Sequence, residues 1–345
     1  MGILNVHNEW DPLEEVIVGT AVGAQVPNGN KGIFHVRYSD PKGIKNIPSG
    51  TYPQYIIDET EEDLDMLVDT FIKLGISVYR PLAMNQTKKF STPNWESDGM
   101  SCLCPRDVLL PVGNTIIETP MAHRSRFFEA NAYKQILLTY LANGARWISA
   151  PKPQLLDECY NTINPNEIAL KELEPIFDAA NVLRLGRDIL YLISDSGNRL
   201  GAMWLQNTLG NNYRVHACEN LYISTHIDTT LSVLRAGLVL VNPSRVNTMN
   251  LPSFFKDWDV IYSPEMVDTG YSGYTYASAW VGMNLLMINP HLAIVCKHQV
   301  ELIKLLNKHK IDVIPLELRH SRTLNGGFHC VTLDTRRRGV LEDYS

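Results

Sequence analysis

Residues 299–315 read QVELIKLLNKHKIDVIP, and the pattern within this stretch decides the fold. Its apolar and polar side chains recur at the spacing of an amphipathic helix. The apolar face consists of Leu302, Ile303, Leu305 and Leu306, and the polar face of Glu301, Lys304 and Lys308. A short run rich in β-branched residues follows from Ile311 to Ile314 and stops at Pro315, which is typical of a strand. The stretch therefore predicts a helix followed by a strand.

The same order of helix, polar or glycine stop and short strand occurs five times along the chain. The pairs of helix and strand are Glu59–Leu74 with Ile76–Arg80, Arg126–Ala142 with Arg146–Ala150, Arg199–Leu209 with Tyr213–Cys218, Pro252–Trp258 with Asp259–Ser263, and Gln299–His309 with Ile311–Ile314. Further apolar runs lie ahead of most copies: Val16–Val18, Val108–Leu110, Ile189–Leu192, Leu238–Val241 and Ala293–Val295. The chain is therefore interpreted as five β–α–β modules.

A module of this size cannot bury its own apolar face, but five modules stacked in a ring share one core and enclose a central cavity. We therefore expect an α/β fold, a propeller of five pseudo-symmetric modules. Residues 1–345 would then form a single domain around a central active-site cavity. Two conventional domains remain an alternative at this length.

The composition is that of an ordinary globular protein, with 45% hydrophobic and 20% charged residues. Lys and Arg total 31 against 37 Asp and Glu, so the formal net charge is −6. This sign argues against nucleic acid or an anionic membrane as a partner, and the basic run Arg336–Arg338 is expected to be a solvated face or to pair with acids of the chain itself. No window is long and apolar enough for a membrane span, and Met1–Trp10 lacks the features of a signal peptide. We therefore expect a cytoplasmic protein.

The cysteines are scattered along the chain at positions Cys102, Cys104, Cys159, Cys218, Cys296 and Cys330. Their spacing matches neither a disulfide framework nor a zinc site. We therefore expect free thiols and no metal.

Residues able to do chemistry lie at the ends of the apolar runs, where the centre of a ring would be. They are Asp107, Asp178, His226, Asp228 and Arg245, together with Ser278 in a later loop and Cys330 near the C-terminus. Cys330 closely follows Gly326 and Gly327, a pair that permits unusual backbone angles and close approach of a substrate. Taken singly, each candidate has an ordinary alternative as a turn-forming acid, a core histidine, a paired arginine, a loop hydroxyl or a buried apolar cysteine.

Taken together, these positions belong to segments that resemble the arginine-dependent amidinotransferases, the family of glycine amidinotransferase and inosamine-phosphate amidinotransferase. The segments are Asn8-Glu-Trp-Asp-Pro-Leu-Glu-Glu-Val-Ile-Val-Gly19, Cys104-Pro-Arg-Asp107, Phe177-Asp-Ala-Ala180, Gly186-Arg-Asp188, His226-Ile-Asp228, Asn242-Pro-Ser-Arg245 and Gly326-Gly-Phe-His-Cys330. They occur in order and cover nearly the whole chain. The resemblance implies the five-module propeller of the guanidine-modifying superfamily, the pentein fold, which agrees with the repeats.

The resemblance also implies three catalytic residues. Cys330 matches the family's nucleophile, His226 its general acid and base, and Asp178 the carboxylate that pairs with that histidine. A guanidinium is a delocalised cation and a poor electrophile, so the thiol must be activated. Since a bound guanidinium favours the thiolate, we hypothesise that the substrate itself activates Cys330. Ornithine would leave before the acceptor enters, which predicts ping-pong kinetics without a cofactor.

The remaining family positions bind arginine. Asp107 and Asp228 match acids that contact the guanidinium, whereas Arg245 and Ser278 match residues that hold the α-carboxylate. Some family members carry two serines at the last position, but this chain has Ala277 before Ser278. One hydroxyl contact is therefore missing, and carboxylate binding is expected to be weaker or differently shaped.

The acceptor amine is left open by the sequence. An aminocyclitol phosphate is favoured by similarity to the inosamine-phosphate enzymes through Ile47–Gly50, Glu118–Met121 and His320–Leu324, whereas lysine and glycine are alternatives. A phosphate would need cations at the cavity mouth, for which the candidates are Arg124, Arg126 and Arg322. The loop Met266–Tyr276 is expected to cover the cavity, and relatives imply a homodimer.

Two other functions stay open. An arginine deiminase or dihydrolase of the same superfamily would let water attack the amidino-enzyme, and a non-catalytic five-bladed binding module would lack a reactive cysteine. A papain-like hydrolase does not fit, because no glycine-flanked cysteine precedes a helix near the N-terminus.

Overall fold

The computed structural model describes residues 4–29, 49–161, 167–273 and 277–345. Within these ranges the strands form five three-stranded sheets and two short two-stranded ribbons. We number the sheets 1 to 5. Their strands are Thr332–Arg337, Leu13–Val18 and Ser77–Tyr79 in sheet 1; Leu109–Val112, Thr115–Glu118 and Arg146–Ser149 in sheet 2; Val182–Leu185, Asp188–Leu192 and Arg214–Cys218 in sheet 3; Leu231–Arg235, Leu238–Val241 and Asp259–Tyr262 in sheet 4; and Leu286–Asn289, Leu292–Cys296 and Asp312–Leu316 in sheet 5. The ribbons pair Gln25–Val26 with Gly50–Thr51 and Phe90–Ser91 with Glu96–Ser97.

All five sheets share one topology. The middle strand runs antiparallel to the first and parallel to the third, so every sheet is mixed. A helix or 3₁₀ turn connects the middle strand to the third, as a parallel connection requires. Sheet 1 takes its first strand from the end of the chain, because Thr332–Arg337 pairs with Leu13–Val18. The two ends of the chain are thereby joined in one sheet.

The helices confirm the predicted order but not every boundary. The α-helices are Gln54–Lys73, Pro105–Val108, Lys134–Ala142, Arg199–Leu209, Val300–Lys308 and Ser321–Leu324, and the 3₁₀ turns are Arg124–Arg126, Glu129–Tyr133, Asp157–Cys159, Ala179–Asn181, Gly210–Asn212, Ser253–Phe255 and Ala279–Met283. Arg199–Leu209 has the predicted bounds, since the Asn198 side chain caps it by accepting from the Gly201 amide. No helix in the described ranges is long and apolar enough to cross a membrane.

Three sequence predictions need correction. The predicted helix Pro252–Trp258 is only a 3₁₀ turn at Ser253–Phe255, and the first part of Arg126–Ala142 consists of 3₁₀ turns before the helix begins at Lys134. In module two, the sequence predicts Val108–Leu110 as the strand ahead of the helix. In the structure, Thr115–Glu118 is the strand that pairs parallel with Arg146–Ser149. The β–α–β interpretation also missed the first strand of the other sheets, because these strands lie outside the helix-to-strand repeat.

A network of buried charges joins several sheets. Arg184 of sheet 3 binds both carboxylate oxygens of Glu9, at 2.7 and 2.8 Å, and Asp334 of sheet 1 at 2.9 Å. Asp334 also accepts from Arg106 at 2.7 Å and from Arg337 at 2.6 Å. All five side chains are at least 95% buried. Arg337, predicted to pair with acids of the chain itself, does so here.

Candidate active site

The candidate residues come from equivalent places in the five sheets. In each sheet, the segment just ahead of the first strand contributes a polar or nucleophilic side chain. These residues are Cys330 for sheet 1, Asp107 for sheet 2, Asp178 for sheet 3, His226 and Asp228 for sheet 4, and Ser278 and Asn284 for sheet 5. The repeated topology thus gathers residues that are far apart in sequence, which the linear pattern could indicate but not demonstrate.

Cys330 lies on the wall of a cavity of about 80 Å³, together with His226, Asp228, Arg245 and Ser278. Its sulfur accepts a hydrogen bond from Asn284 Nδ2 at 3.2 Å, and the thiol donates to Asp228 Oδ2 at 3.3 Å. Burial raises the pKa of the Cys330 thiol well above its usual range, and the nearby carboxylates raise it further. The free protein therefore favours the protonated thiol at Cys330.

His226 lies between two buried aspartates. Its Nε2 is 3.0 Å from Asp178 Oδ2, and its Nδ1 is 3.7 Å from Asp107 Oδ1. The Ala122 amide donates to the other oxygen of Asp178 at 2.9 Å and so fixes that carboxylate. Burial lowers the pKa of His226, but the charge of Asp107 and the hydrogen bond to Asp178 outweigh it and raise the pKa above its ordinary value. The two aspartates therefore favour the protonated form of the imidazole.

The backbone of His226 has φ of 52°, a left-handed conformation that residues with a Cβ rarely adopt. Such backbone strain is concentrated at functional sites, where the surrounding structure holds a side chain in place. The left-handed residue of the cysteine turn is Asn325 (φ 59°), rather than either following glycine. The expectation of unusual glycine angles in this turn is therefore wrong. Gly327 provides room instead, since a Cβ there would lie 2.5 Å from Asn284 Cβ.

Asp228 lies between the cysteine and a second histidine. Its Oδ2 is 2.9 Å from His329 Nδ1, and His329 Nε2 is 3.3 Å from Glu9 Oε2. Burial raises the pKa of Asp228, but the hydrogen bond and charge of His329 lower it to about 2. Asp228 is therefore ionised, although it is buried.

Each of the two aspartates expected to contact a guanidinium has one buried oxygen without a hydrogen-bond partner among the described residues. These atoms are Asp107 Oδ1 and Asp228 Oδ1. The other oxygen of Asp107 accepts from Arg126 Nη1 at 2.6 Å. Asp228 lines the cavity, whereas Asp107 and Asp178 are buried against His226 and are not part of the wall. Buried carboxylate oxygens normally have donors, so these two suggest places for a cationic ligand.

Arg245 and Ser278 both lie on the cavity wall. The guanidinium of Arg245 stacks over the Tyr222 ring at 3.6 Å, and its Nη1 donates to the carbonyl and hydroxyl of Thr229 at 3.1 and 2.9 Å. Burial lowers the pKa of Arg245. The cavity therefore has an anionic side at Asp228 and a cationic side at Arg245, as expected for a zwitterionic amino acid.

The arginines suggested for a phosphate are engaged within the protein. Arg126 is buried and binds Glu129 and Asp107, and Arg124 binds the Leu155 carbonyl at 2.9 Å. Neither is therefore available as predicted. Arg322 forms an ion pair with Asp268, in the loop expected to cover the cavity, and donates to the Ala277 carbonyl at 3.0 Å.

Parts of two segments on which sequence predictions rest lie outside the described ranges. Residues 274–276 of the loop Met266–Tyr276 and residues 47 and 48 of the Ile47–Gly50 segment are outside them. The role predicted for this loop therefore stays a prediction.

Sequence reasoning missed Asn284, His329 and Arg126, which contact Cys330, Asp228 and Asp107 respectively. His329 stands within the quoted Gly-Phe-His-Cys segment, so its place beside the cysteine was a usable signal. Asn284 gave no such signal, and Arg126 was named only as a candidate cation for a phosphate, not as the partner of Asp107. All six cysteines are free, and the described residues contain no cluster of side chains suited to a metal.

No family model matches the chain, but full-length relatives do. Inosamine-phosphate amidinotransferase 1 of Streptomyces glaucescens is 55% identical and covers 100% of this chain and 99% of its own length. The L-arginine:L-lysine amidinotransferase of Pseudomonas savastanoi pv. phaseolicola is 38% identical over 98% of this chain and 95% of its own length. The solved structure of an inosamine-phosphate amidinotransferase from Streptomyces griseus matches with a TM-score of 0.98 at 55% identity, covering 100% of this chain and 99% of that one.

Relatives this similar over the whole length establish what class of protein this is: an enzyme of the transferase class that moves amidino groups. The chain belongs to the amidinotransferase family, and the resemblance inferred from the sequence motifs is confirmed.

Proposed function

We propose that this protein transfers the amidino group of L-arginine to an amine acceptor through a covalent amidino-cysteine at Cys330, and releases L-ornithine. The observation that carries this proposal is the shared cavity wall of Cys330, His226 and Asp228, in which the buried Asp228 Oδ1 has no donor among the described residues. A nucleophile, an acid and an unsatisfied anion around one cavity suit a substrate that is a cation and must be attacked.

Arginine binding uses both sides of the cavity. Asp228 accepts hydrogen bonds from the guanidinium, and Asp107 adds its negative charge from behind His226, while Arg245 and Ser278 hold the α-carboxylate. Arg245 can do so because its contacts with Thr229 involve only the Nη1 group, and its planar guanidinium carries further N–H groups. This placement is supported by the opposite charges on the wall, and it would point the guanidinium carbon towards Cys330.

The first half-reaction begins when the arginine cation binds and the Cys330 thiol gives its proton to solvent. The thiolate attacks the guanidinium carbon, and a carbon–sulfur bond forms. The tetrahedral adduct collapses by breaking the bond to the nitrogen that becomes the ornithine side-chain amine, and the His226 imidazolium protonates that nitrogen. Asp178 keeps the imidazole in position. A cationic amidino-thioether remains on the cysteine, and His226 is neutral.

The second half-reaction uses the neutral imidazole. The acceptor enters after ornithine leaves, its neutral amine attacks the amidino carbon, and His226 takes the proton. The carbon–sulfur bond then breaks and releases the Cys330 thiolate, which takes back a proton from solvent. The amidinated acceptor carries the charge that arginine brought, so charge and protons balance over the cycle. Since the two amines occupy the same place in turn, ping-pong kinetics are expected.

An aminocyclitol phosphate is the acceptor we favour, since the relatives at 55% identity are named for inosamine phosphate. Lysine is the acceptor in the name of a relative at 38% identity and is the second choice, with glycine the third. An antibiotic or other specialised biosynthetic pathway suits the first choice. Free cysteine thiols suit the reducing cytoplasm, and a homodimer stays a prediction.

We also infer that the five sheets form one closed ring, the propeller expected from the repeats. Support comes from their common topology and from Arg106, Arg184 and Arg337, whose contacts link segments of different sheets. The cavity at Cys330 would then lie where the segments ahead of the first strands converge.

The direct experiment mixes stoichiometric protein with labelled arginine and no acceptor. We expect one equivalent of ornithine and a Cys330 peptide carrying one amidino group by mass spectrometry. Adding an aminocyclitol phosphate, lysine or glycine should then discharge the label, fastest for the favoured acceptor. Steady formation of citrulline, or of urea with ornithine, would instead identify a deiminase or dihydrolase. No labelling at all would favour the binding module, and intersecting initial-rate lines would exclude the ping-pong order.

A further inference from the structure

Asn284 is a buried side chain that none of the proposed steps uses, although it contacts the reacting atom. It lies just ahead of the first strand of sheet 5, the position that supplies Cys330, Asp107, Asp178 and Asp228 in the other four sheets. Its exposed fraction is 2%. Every sheet therefore contributes at least one side chain from this position, and Asn284 is one of the two from sheet 5.

The orientation of the Asn284 amide follows from its contacts. Its Oδ1 accepts from two successive backbone amides, those of His329 at 2.9 Å and Cys330 at 3.0 Å. Oxygen and nitrogen of an asparagine amide are usually assigned from such donors. With the oxygen facing two N–H groups, the Nδ2 group must face the sulfur, which it reaches at 3.2 Å.

Gly327 makes this close packing feasible. A Cβ at this position would lie 2.5 Å from Asn284 Cβ and 2.7 Å from its Oδ1, so any larger residue would displace the amide. The second glycine of the Gly-Gly-Phe-His-Cys segment is thus explained by Asn284. The sequence motif and the asparagine form one unit, although they are distant in the chain.

We propose that Asn284 is a positioning residue that holds the Cys330 sulfur in line for attack and stabilises its thiolate form by donating a hydrogen bond to it. The proposal rests on the proposed role of Cys330 as nucleophile. A donor to an anionic sulfur is stronger than one to a neutral thiol, so the bond favours ionisation. Gly327 contributes a backbone hydrogen bond in the same direction.

Other groups around the sulfur oppose ionisation. The carboxylates of Asp228 and Asp107 and the thiol of Cys104 each disfavour a second negative charge nearby. His226 lies on the same wall, and His329 faces away towards Asp228 and Glu9. Among the side chains that hydrogen-bond the sulfur in the described ranges, Asn284 therefore favours the thiolate, whereas Asp228 favours the thiol.

The test is the pH profile of Cys330 alkylation by iodoacetamide in the free protein, followed on the Cys330 peptide by mass spectrometry. In Asn284→Asp, a carboxylate oxygen still accepts from both backbone amides, but the donor to sulfur is lost. We expect the apparent thiol pKa to rise by about one unit or more, so that alkylation below it slows about tenfold. Asn284→Ala adds no charge and should shift the profile in the same direction by less.

Asn198→Asp is the matched control. Asn198 is equally buried, its Oδ1 also accepts from two backbone amides, and its Nδ2 also donates two hydrogen bonds, but it caps the helix Arg199–Leu209 away from the cavity. This variant should lower the thermal midpoint and leave the alkylation profile unchanged. An Asn284→Ala profile identical to that of the parent protein would overturn the proposal and leave Asn284 a structural residue only.

Gly327→Ala covers the case in which the Asn284 variants do not fold. It keeps the asparagine but pushes its amide away, so alkylation should again shift to higher pH, and an unchanged profile would count against the proposal. Transfer from arginine is measured in parallel on the parent protein. If that transfer is absent while the profiles shift, the proposed function fails but the role of Asn284 in holding the thiolate stands.

Discussion

The charges around Arg184 are fully paired within the protein, whereas those around Cys330 are paired only in part. Arg184 binds Glu9 and Asp334, and Asp334 in turn binds Arg106 and Arg337. The Arg184 and Arg337 cations lie within 3 Å of carboxylate oxygens. Burial of such ions is tolerated because each has a partner and further hydrogen bonds.

The candidate site contains a similar density of buried acids with a different balance. Asp107 and Asp228 each keep one oxygen without a donor among the described residues, and Cys330 adds a thiol that burial keeps protonated. In the proposed function, the guanidinium of arginine would supply hydrogen-bond donors and a positive charge to this incompletely paired group.

The largest expected effect comes from Cys330→Ala. If the thiol forms the covalent intermediate, arginine-dependent ornithine release should fall roughly 10⁴-fold or more, with the fold unchanged. Ornithine release is followed by chromatography, and the fold by circular dichroism. Cys104→Ala, which removes a neighbouring buried thiol, serves as control and should keep most of the activity. A Cys330→Ala protein with undiminished release would remove the site from the proposed function.

The matched network gives the next largest effect, and it concerns stability. Asp334→Asn leaves the cations of Arg106, Arg184 and Arg337 without their shared carboxylate. Removing one partner of a buried pair costs about 3–5 kcal/mol, so the free energy of unfolding should fall by that order. Urea unfolding measures it. Asp343→Asn, which weakens an exposed pair with Arg214, should change stability far less, because solvent screens exposed charges. Equal losses in the two variants would contradict the importance of burial.

At the candidate site, loss of a negative charge should make the Cys330 thiol more reactive. Asp228 raises the pKa of the Cys330 thiol, so Asp228→Asn should lower that pKa and speed alkylation of the free protein at neutral pH several-fold. Transfer from arginine should nevertheless fall, because the guanidinium loses an acceptor. Asp188→Asn, at a buried acid of sheet 3 paired with Arg214, is the control and should leave the alkylation rate unchanged. Slower alkylation in Asp228→Asn would show that the charge acts differently.

The smallest effect should follow from supplying the missing cation. Arginine at about 100 times its dissociation constant should stabilise Cys330→Ala by about 2.7 kcal/mol, a rise of roughly 2–4 °C in the thermal midpoint. Use of this variant prevents turnover. Citrulline, which has the same backbone but a neutral side-chain end, should give a smaller rise. If the two ligands act equally, the buried carboxylates do not select for charge.

Much of the fold was predictable because helix amphipathicity is local. The residues of Gln299–His309 show their apolar face without reference to the rest of the chain, and the observed helix Val300–Lys308 agrees with it. The helix predicted in the fourth copy of the repeat was wrong, and the cause is again local. Pro252–Trp258 is short and rich in aromatic residues, so its sequence gives too few positions to establish a helical period.

The sequence by itself determined the repeated order of a helix and the strand that follows it, the family and most of the candidate site residues, since these depend on periodicity and on short motifs. Only the tertiary structure decided which partners these residues have. It assigned Arg126 to Asp107 rather than to a phosphate and brought Asn284 to the sulfur of Cys330. It also left one oxygen each of Asp107 and Asp228 without a donor in the part of the chain that the structure describes. The physical reason is that hydrogen bonds and buried charges join side chains remote in sequence, whose separations are fixed only when the sheets pack together.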